Sequence, residues 1–204
     1  MRAALTLMSM LVALFAGRAL AAEGSATETL KARDAEIREA LPPAGGTITP
    51  EIRRKLETIL TQAVDLRAMV QAAMGKHWAE ASEKQRRRLV SAFENRFRKA
   101  SGGELDSYRS TQIEYRPEVA QSDETVLVPT KVAVKGEPTA IDYTLRRETA
   151  GWRIVDIAVD GVSTVENYRS SFSRLIAKEG IDGLIEKLEK AGPGPKASTT
   201  RRSK

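Results

Sequence analysis

Apolar positions change period partway along the chain. Leu30, Ile37 and Leu41 fall on one helical stripe within Ala26 to Leu41, and Pro42-Pro43-Ala44-Gly45-Gly46 ends it. Thr49-Pro50 reads as an N-cap followed by proline at the first helical position, and Ile52, Leu56, Ile59, Leu60 and Ala63 recur at helical spacing after it. A shorter helix carries Leu66, Met69, Val70 and Met74. Ser82-Glu83-Lys84-Gln85 is a capping box and opens a helix with Leu89, Phe93, Phe97 and Ala100 on its apolar edge, stopped by Gly102-Gly103.

From there the period is two. A strand is expected around Ser110 to Arg116, and Val126, Val128, Val132 and Val134 share one strand face. Lys135-Gly136-Glu137-Pro138 reads as a turn, after which Ile141, Tyr143 and Leu145 alternate with Asp142, Thr144 and Arg146. Past Ala150-Gly151, Val155, Ile157 and Val159 are expected on one face of a further strand. Ser163-Thr164-Val165-Glu166 is a second capping box, whose helix buries Val165, Tyr168, Phe172, Leu175 and Ile176 and ends at Gly180. A short helix with Leu184, Ile185 and Leu188 follows. Helices, then about four strands joined by hairpin-length turns, then helices, predict an α+β fold on an antiparallel sheet.

At 204 residues the chain holds one domain with appendages, and 41 % hydrophobic with 29 % charged residues is the balance of a globular protein. Zero cysteines remove disulfides, thiolate metal sites and cysteine nucleophiles, and a single histidine, His77, leaves little material for a histidine relay. The formal charge of +6 first suggests nucleic acid. Division changes that reading. Residues 1–21 hold Arg2 and Arg18 and no acid; residues 191–204 hold Lys196, Arg201, Arg202 and Lys204 and no acid; the span 22–190 is left with 27 residues of each sign.

Arg2, the apolar run Ala3 to Ala16 and the small residues of Ala19-Leu20-Ala21 read as a secretory signal over residues 1–21. The run of about 14 residues is short of the roughly 20 that span a bilayer. A mature domain over 22–191 is therefore expected in the periplasm, which removes the nucleic-acid reading, and the basic tail 192–204 is expected to be disordered. No metal or catalytic site is expected: His77 beside Lys76 reads as surface, and Asp156 with Asp160 reads as structural ion pairing or strand-end hydrogen bonding.

Asp65-Leu66-Arg67-Ala68-Met69, Met74-Gly75-Lys76-His77-Trp78, Gln85 and Ala92-Phe93 form an ordered series. Ile141-Asp142-Tyr143, Gly151-Trp152-Arg153-Ile154-Val155-Asp156-Ile157, Asp160-Gly161-Val162-Ser163, Asn167-Tyr168-Arg169-Ser170-Ser171-Phe172 and Gly180-Ile181-Asp182-Gly183-Leu184 continue it. The series resembles the MlaC, or toluene-tolerance, family over roughly residues 25–190. Leu66 stands where the family tends to have phenylalanine, and Ala100-Ser101 where a threonine–tyrosine pair is usual.

The resemblance implies helices on a strongly curved, NTF2-like antiparallel sheet enclosing an apolar pocket. It implies a periplasmic carrier that takes phospholipid, or a hopanoid-type lipid, between two membrane partners and so maintains outer-membrane lipid asymmetry. Those partners are an inner-membrane ABC transporter with its MCE-domain protein and an outer-membrane lipoprotein–porin complex. No cofactor is implied beyond the phospholipid cargo. The lipid-contacting candidates are Met69, Met74, Phe93, Phe97, Val132, Ile141, Tyr143, Ile157, Val159, Tyr168, Phe172 and Ile176. The same residues read equally as a filled core, which would make the chain an interaction module bridging envelope proteins. A hydrolase in an NTF2-like cavity is poorly supplied with acid and base groups. A carrier needs none: at about 0.8 kcal/mol per methylene, a chain of about 16 carbons gains on the order of 12 kcal/mol by leaving water. A comparable apolar site makes exchange with a membrane nearly isoenergetic.

Overall fold

Ser25 opens the first helix by a reciprocal pair of bonds. Its hydroxyl accepts the Glu28 amide at 3.1 Å while the Glu28 carboxylate accepts the Ser25 amide at 2.7 Å. Two amides that the helix start would leave unpaired are thereby satisfied. The computed structural model describes residues 24–43, 46–101, 111–134 and 137–191. The expected signal over residues 1–21, Gly102-Gly103, Lys135-Gly136 and the tail from residue 192 lie outside the described residues.

Among the described residues six helices follow the predicted order: α1 Ala26–Ala40, α2 Pro50–Ala63, α3 Leu66–Met74, α4 His77–Glu80, α5 Glu83–Ser101 and α6 Thr164–Lys190. Thr49 caps α2 through the Ile52 amide, Asp65 caps α3 through the Ala68 amide, and Ser82 with Gln85 forms the expected box on α5. At α6 half of the expected box forms: the Ser163 hydroxyl accepts the Glu166 amide at 3.1 Å, while the Glu166 carboxylate pairs with Arg169 at 2.7 Å. The two C-terminal helices expected from the sequence are one helix kinked at Gly180, whose φ of 70° suits glycine. Helix α4, one turn long, is too short to show a period.

The strands are β1 Ile113–Tyr115, β2 Val119–Ala120, β3 Thr125–Val134, β4 Glu137–Glu148, β5 Gly151–Val159 and β6 Val162–Ser163. They form one antiparallel sheet in the order β1-β3-β4-β5-β6, with β2 also paired to β3. The sheet has six strands rather than about four, because β2 and β6 hold two residues each and cannot display alternation. The expected turn at Lys135 to Pro138 is tighter than its composition suggests. Val134 pairs with Glu137 and Ala133 with Pro138, so Glu137 and Pro138 belong to β4. Pro138 is tolerated because the β5 ladder reaches only Ile141.

One strand face departs from simple alternation. Tyr143 pairs with Ile157 and Thr144 with Asp156, but Leu145 pairs with Ile154, leaving Val155 as a bulge residue. Parity shifts across it. Ile157 and Val159 are continued on the inner face by Ile154 and Trp152, both buried, and not by Val155 as the sequence pattern predicts.

The core divides in two. The main cluster joins Ala26 and Leu30 of α1, helices α3, α5 and α6, and Val128, Leu145, Trp152 and Ile154 of the sheet. A second cluster holds Ile37, Ala40 and Leu41 against Leu56 and Ile59 of α2. Between α5 and α6, Tyr168 meets Phe93 edge-on at 5.0 Å and Phe172 at 5.4 Å.

The bulge makes a measurable ordering of substitutions. Ile154→Ala removes a side chain only 6 % exposed and should cost about 2–4 kcal/mol by denaturant melt, whereas Val155→Thr should cost about 1 kcal/mol or less. Unbroken alternation would give the reverse order.

Candidate lipid-binding site

The structure separates the twelve candidate residues into two groups. Met69, Met74, Phe93 and Phe172 are buried in the main cluster, and Phe97, Tyr143, Ile157, Tyr168 and Ile176 pack against it. Val132, Ile141 and Val159 belong to neither cluster. They occupy the inner face of the sheet's far half, where Val132 pairs with Ile113 and Thr139, and Ile141 pairs with Thr130 and Val159. Val132 is nonetheless 6 % exposed and Thr130 is buried, its hydroxyl donating to the Ile141 carbonyl at 2.6 Å. This half of the inner face sets Val132, Ile141 and Val159 beside the buried Thr130 and Thr139, outside both core clusters.

Helix α1 passes from one cluster to the other, and its middle turn is polar. Asp34 and Arg38 lie on the same face as Leu30, Ile37 and Leu41, since 30, 34, 37, 38 and 41 follow helical spacing. The Arg38 Nε donates to Asp34 at 2.9 Å, and its terminal nitrogen donates to the Thr111 carbonyl at 2.7 Å, tying α1 to the approach of β1. Lys31 lies 5.4 Å above the Tyr115 ring. The sequence reading missed Asp34, Arg38 and Tyr115. The readable signal was an acid and a base four residues apart, placed where the stripe of α1 skips from Leu30 to Ile37.

The two tyrosines register the enclosure. Desolvation pushes the Tyr115 hydroxyl up to about 12, helped by the Asp34 carboxylate and opposed by Arg38. Desolvation also pushes Tyr143 up to about 12, with Tyr115 and Asp34 adding to it. Tyr143 is only half-buried by solvent contact, yet its hydroxyl is surrounded by protein. A residue in a crevice has both properties.

The remaining chemistry is structural. Asp156 accepts the Ile157 amide at 2.8 Å, the Val165 amide at 3.0 Å and the Ser163 hydroxyl at 2.5 Å, holding α6 to the end of the sheet. Asp160, at φ 47°, accepts the Ala140 amide at 3.0 Å in the turn beyond β5. His77 pairs with Glu80 at 2.7 Å. Among the described residues no cluster of histidine and carboxylate side chains could hold a metal, and no helix is long and apolar enough to cross a membrane. Among the described residues the surface clefts include two. One of about 470 Å³ lies largely on the outer sheet face, beside Pro129, Lys131, Ala140 and Asp142. The other, of about 370 Å³, runs between α5 and the end of α6.

Fold and site together define an α+β protein of the helix-on-open-sheet class. The chain belongs to the MlaC family: the family described as MlaC protein matches residues 42–190. A solved structure of a phospholipid-binding protein from Ralstonia solanacearum, in complex with a phospholipid, is similar at 26 % identity and a TM-score of 0.72. The match covers 81 % of this chain and 96 % of that one. A cystatin-like protein from Ruminococcus gnavus overlaps at 14 % identity and a TM-score of 0.30, over 75 % of this chain and 43 % of that one, too little to carry an argument.

The tyrosines give a pH dependence with a fixed sign. Between about pH 10 and 12 the unfolded chain has released both protons while the folded chain keeps them, so stability falls as pH rises through that window. Phenolate absorbance should show two late-titrating tyrosines, and one in Tyr143→Phe. Full phenolate absorbance by about pH 11 in folded protein would contradict the enclosure.

Proposed function

We propose that this chain is a periplasmic phospholipid carrier with no enzymatic step. The observation that carries the reading is the family membership together with the Ralstonia relative, a phospholipid-binding protein in complex with its ligand, which this chain matches over 96 % of that protein's length. The apolar half-face of Ile113, Val132, Ile141 and Val159 supports it, because it lies outside the packed clusters and can accept a chain without unpacking them. The Asp34–Arg38 pair and the two tyrosines lie beside that face, and an amphiphile needs polar contacts next to apolar ones.

In this reading a cleavable signal spanning residues 1–21 exports the chain. The mature carrier takes phospholipid, or a hopanoid-type lipid, between an inner-membrane ABC transporter with its MCE-domain protein and an outer-membrane lipoprotein–porin complex. Delivery of lipid across the periplasm in this way would maintain outer-membrane asymmetry. Binding needs no cofactor, since burial of methylenes supplies the affinity. A second reading, an interaction module with a filled core, draws on the nine candidates that pack in or against the main cluster: Met69, Met74, Phe93, Phe97, Tyr143, Ile157, Tyr168, Phe172 and Ile176.

Ile141→Glu separates the two. On an acyl-chain surface that admits water when empty, the carboxylate is solvated, so the variant should melt within a few degrees of wild type and purify from the periplasm without lipid. In a filled core the same group should cost several kcal/mol and unfold the domain. Circular dichroism and mass spectrometry of extracted lipid, on one sample, read both. A folded variant carrying its full lipid complement would contradict the carrier reading of this face.

A further inference from the structure

The sheet face turned away from the helices carries a charge pattern fixed by strand register. The Arg116 amide donates to the Pro129 carbonyl at 2.9 Å, Pro129 pairs with Asp142, and Asp142 pairs with Ala158. In the next outward row Glu114 pairs with Lys131, and Lys131 with Ala140. Asp160 closes that row: its amide donates to the Ala140 carbonyl at 2.9 Å, and its carboxylate accepts the Ala140 amide at 3.0 Å. Alternation turns these side chains outward, because Tyr115, Val132, Ile141 and Val159, their chain neighbours, occupy the inner face.

Both rows run from cation to carboxylate in the same direction. Arg116 and Lys131 stand toward the β1 edge, Asp142 and Asp160 toward the β5 edge, and the small Pro129 and Ala140 lie between. Neighbouring strands are about 4.8 Å apart, so Arg116 to Asp142, and Lys131 to Asp160, each span about 10 Å between backbones. The two signs do not cancel across that gap. Among the described residues Lys131, Asp142 and Asp160 form no ion pair, and Arg116 meets Glu114 at 3.8 Å with both side chains more than half exposed. The cleft of about 470 Å³ lies over this pattern, with the cations on one side, the carboxylates on the other and Pro129 with Ala140 as its floor. Small-molecule sites commonly enclose about 300–1,000 Å³.

We propose that this cleft binds a zwitterion carrying a phosphate ester and a primary ammonium two carbons apart, the chemistry of a phosphoethanolamine group. A simple anion or cation would satisfy one wall and meet like charge at the other. An α-amino acid carries both signs, but on a single carbon, too close together to reach both walls. Lysine and arginine together match the several acceptor oxygens of a phosphate, and two carboxylates match the three donors of a primary ammonium, whereas a quaternary ammonium has no donor. The intervening methylenes lie on Pro129 and Ala140. A free glycerophosphodiester and the headgroup of a membrane phospholipid share this chemistry. The cleft is on the opposite face from Ile141 and Val159, so the proposal is independent of lipid carriage.

The test titrates the full mature chain with glycerophosphoethanolamine and follows amide shifts by NMR, beside glycerophosphate, ethanolamine and glycerophosphocholine. Glycerophosphoethanolamine should bind about fivefold more tightly than any of the other three, with shifts at Lys131, Ala140 and Asp142. The two walls should separate by mutation. Lys131→Gln should weaken glycerophosphoethanolamine and glycerophosphate alike, by about fivefold, while Asp142→Asn should weaken the zwitterion about as much and leave glycerophosphate as tight or tighter. Both variants should keep the melting temperature and lipid content of wild type. Lys55→Gln, on the exposed face of α2, should change affinity less than about twofold. Flotation with phosphatidylcholine vesicles containing about 30 % phosphatidylethanolamine identifies the source. Recovery that falls in Asp142→Asn supports a site for the membrane headgroup, and unchanged recovery with intact probe binding supports one for the free diester. Equal affinity for glycerophosphoethanolamine and glycerophosphate, unaltered by Asp142→Asn, would overturn the proposal in favour of simple anion attraction. Absence of shifts in the cleft up to about 10 mM probe would overturn it outright.

Discussion

Ile154 bonds in two directions at once. On one side it pairs with Leu145 of β4; on the other its carbonyl accepts the Asp65 amide at 2.8 Å, and Val64 lies beside it in a single parallel bridge. Charged groups fasten the same corner. Arg146 donates to Asp65 at 2.8 Å, and Arg153 donates to the Val64 carbonyl at 2.6 Å and the Thr61 carbonyl at 3.2 Å. Val64 and Asp65 are the two residues between α2 and α3, so this contact fixes where both helices leave the sheet. The bulge at Val155 is the neighbouring residue. It keeps Ile154 facing inward at the corner while Ile157 and Val159 face inward beyond it.

The divided core follows from that corner. Helix α3 turns toward α5 and α6 and joins the main cluster, whereas α2 leads back toward α1 and forms the smaller cluster with Ile37 and Leu41. Among the described residues α1 lies against β3 in the far half of the sheet, and its middle turn places Asp34 and Arg38 between Leu30 and Leu41. An inner sheet face that is apolar, and a covering helix that is polar at the facing turn, do not close on each other as two apolar layers do. The proposed lipid site rests on this mismatch.

Helix starts were legible in the sequence because their chemistry is local. Thr49, Ser82 and Ser163 act as caps within three residues of themselves, whereas the Ser25 cap was not read and Gly180, read as a helix end, lies at a kink within one helix. The alternation of β3 and β4 was legible for the same reason. The bulge was not: its parity shift exists only once β4 is paired, and Val155-Ile157-Val159 looks regular in isolation. The site was legible as a set of buried residues but not in its division. Periodicity reports which face is turned from water, and Met69, Phe93 and Phe172 share that property with Val132 and Ile141. What covers each residue is set by the α2–α3 corner, a contact about 90 residues long in sequence between Val64 and Ile154. Tyr115 escaped notice because its enclosure depends on α1 lying over the sheet beside it.

The central claim is the location of the acyl chain, and photocrosslinking reads it directly. A phospholipid carrying a diazirine at the end of one acyl chain is loaded into the mature protein and irradiated, and the modified peptides are mapped by mass spectrometry. The account predicts adducts on Ile113, Val132, Ile141, Tyr143 and Val159 of the sheet, and on Ile37, Leu41 or Ile59 of the smaller cluster. Adducts confined to the α5–α6 groove, or to Lys131 and Asp142 on the outer face, would contradict it.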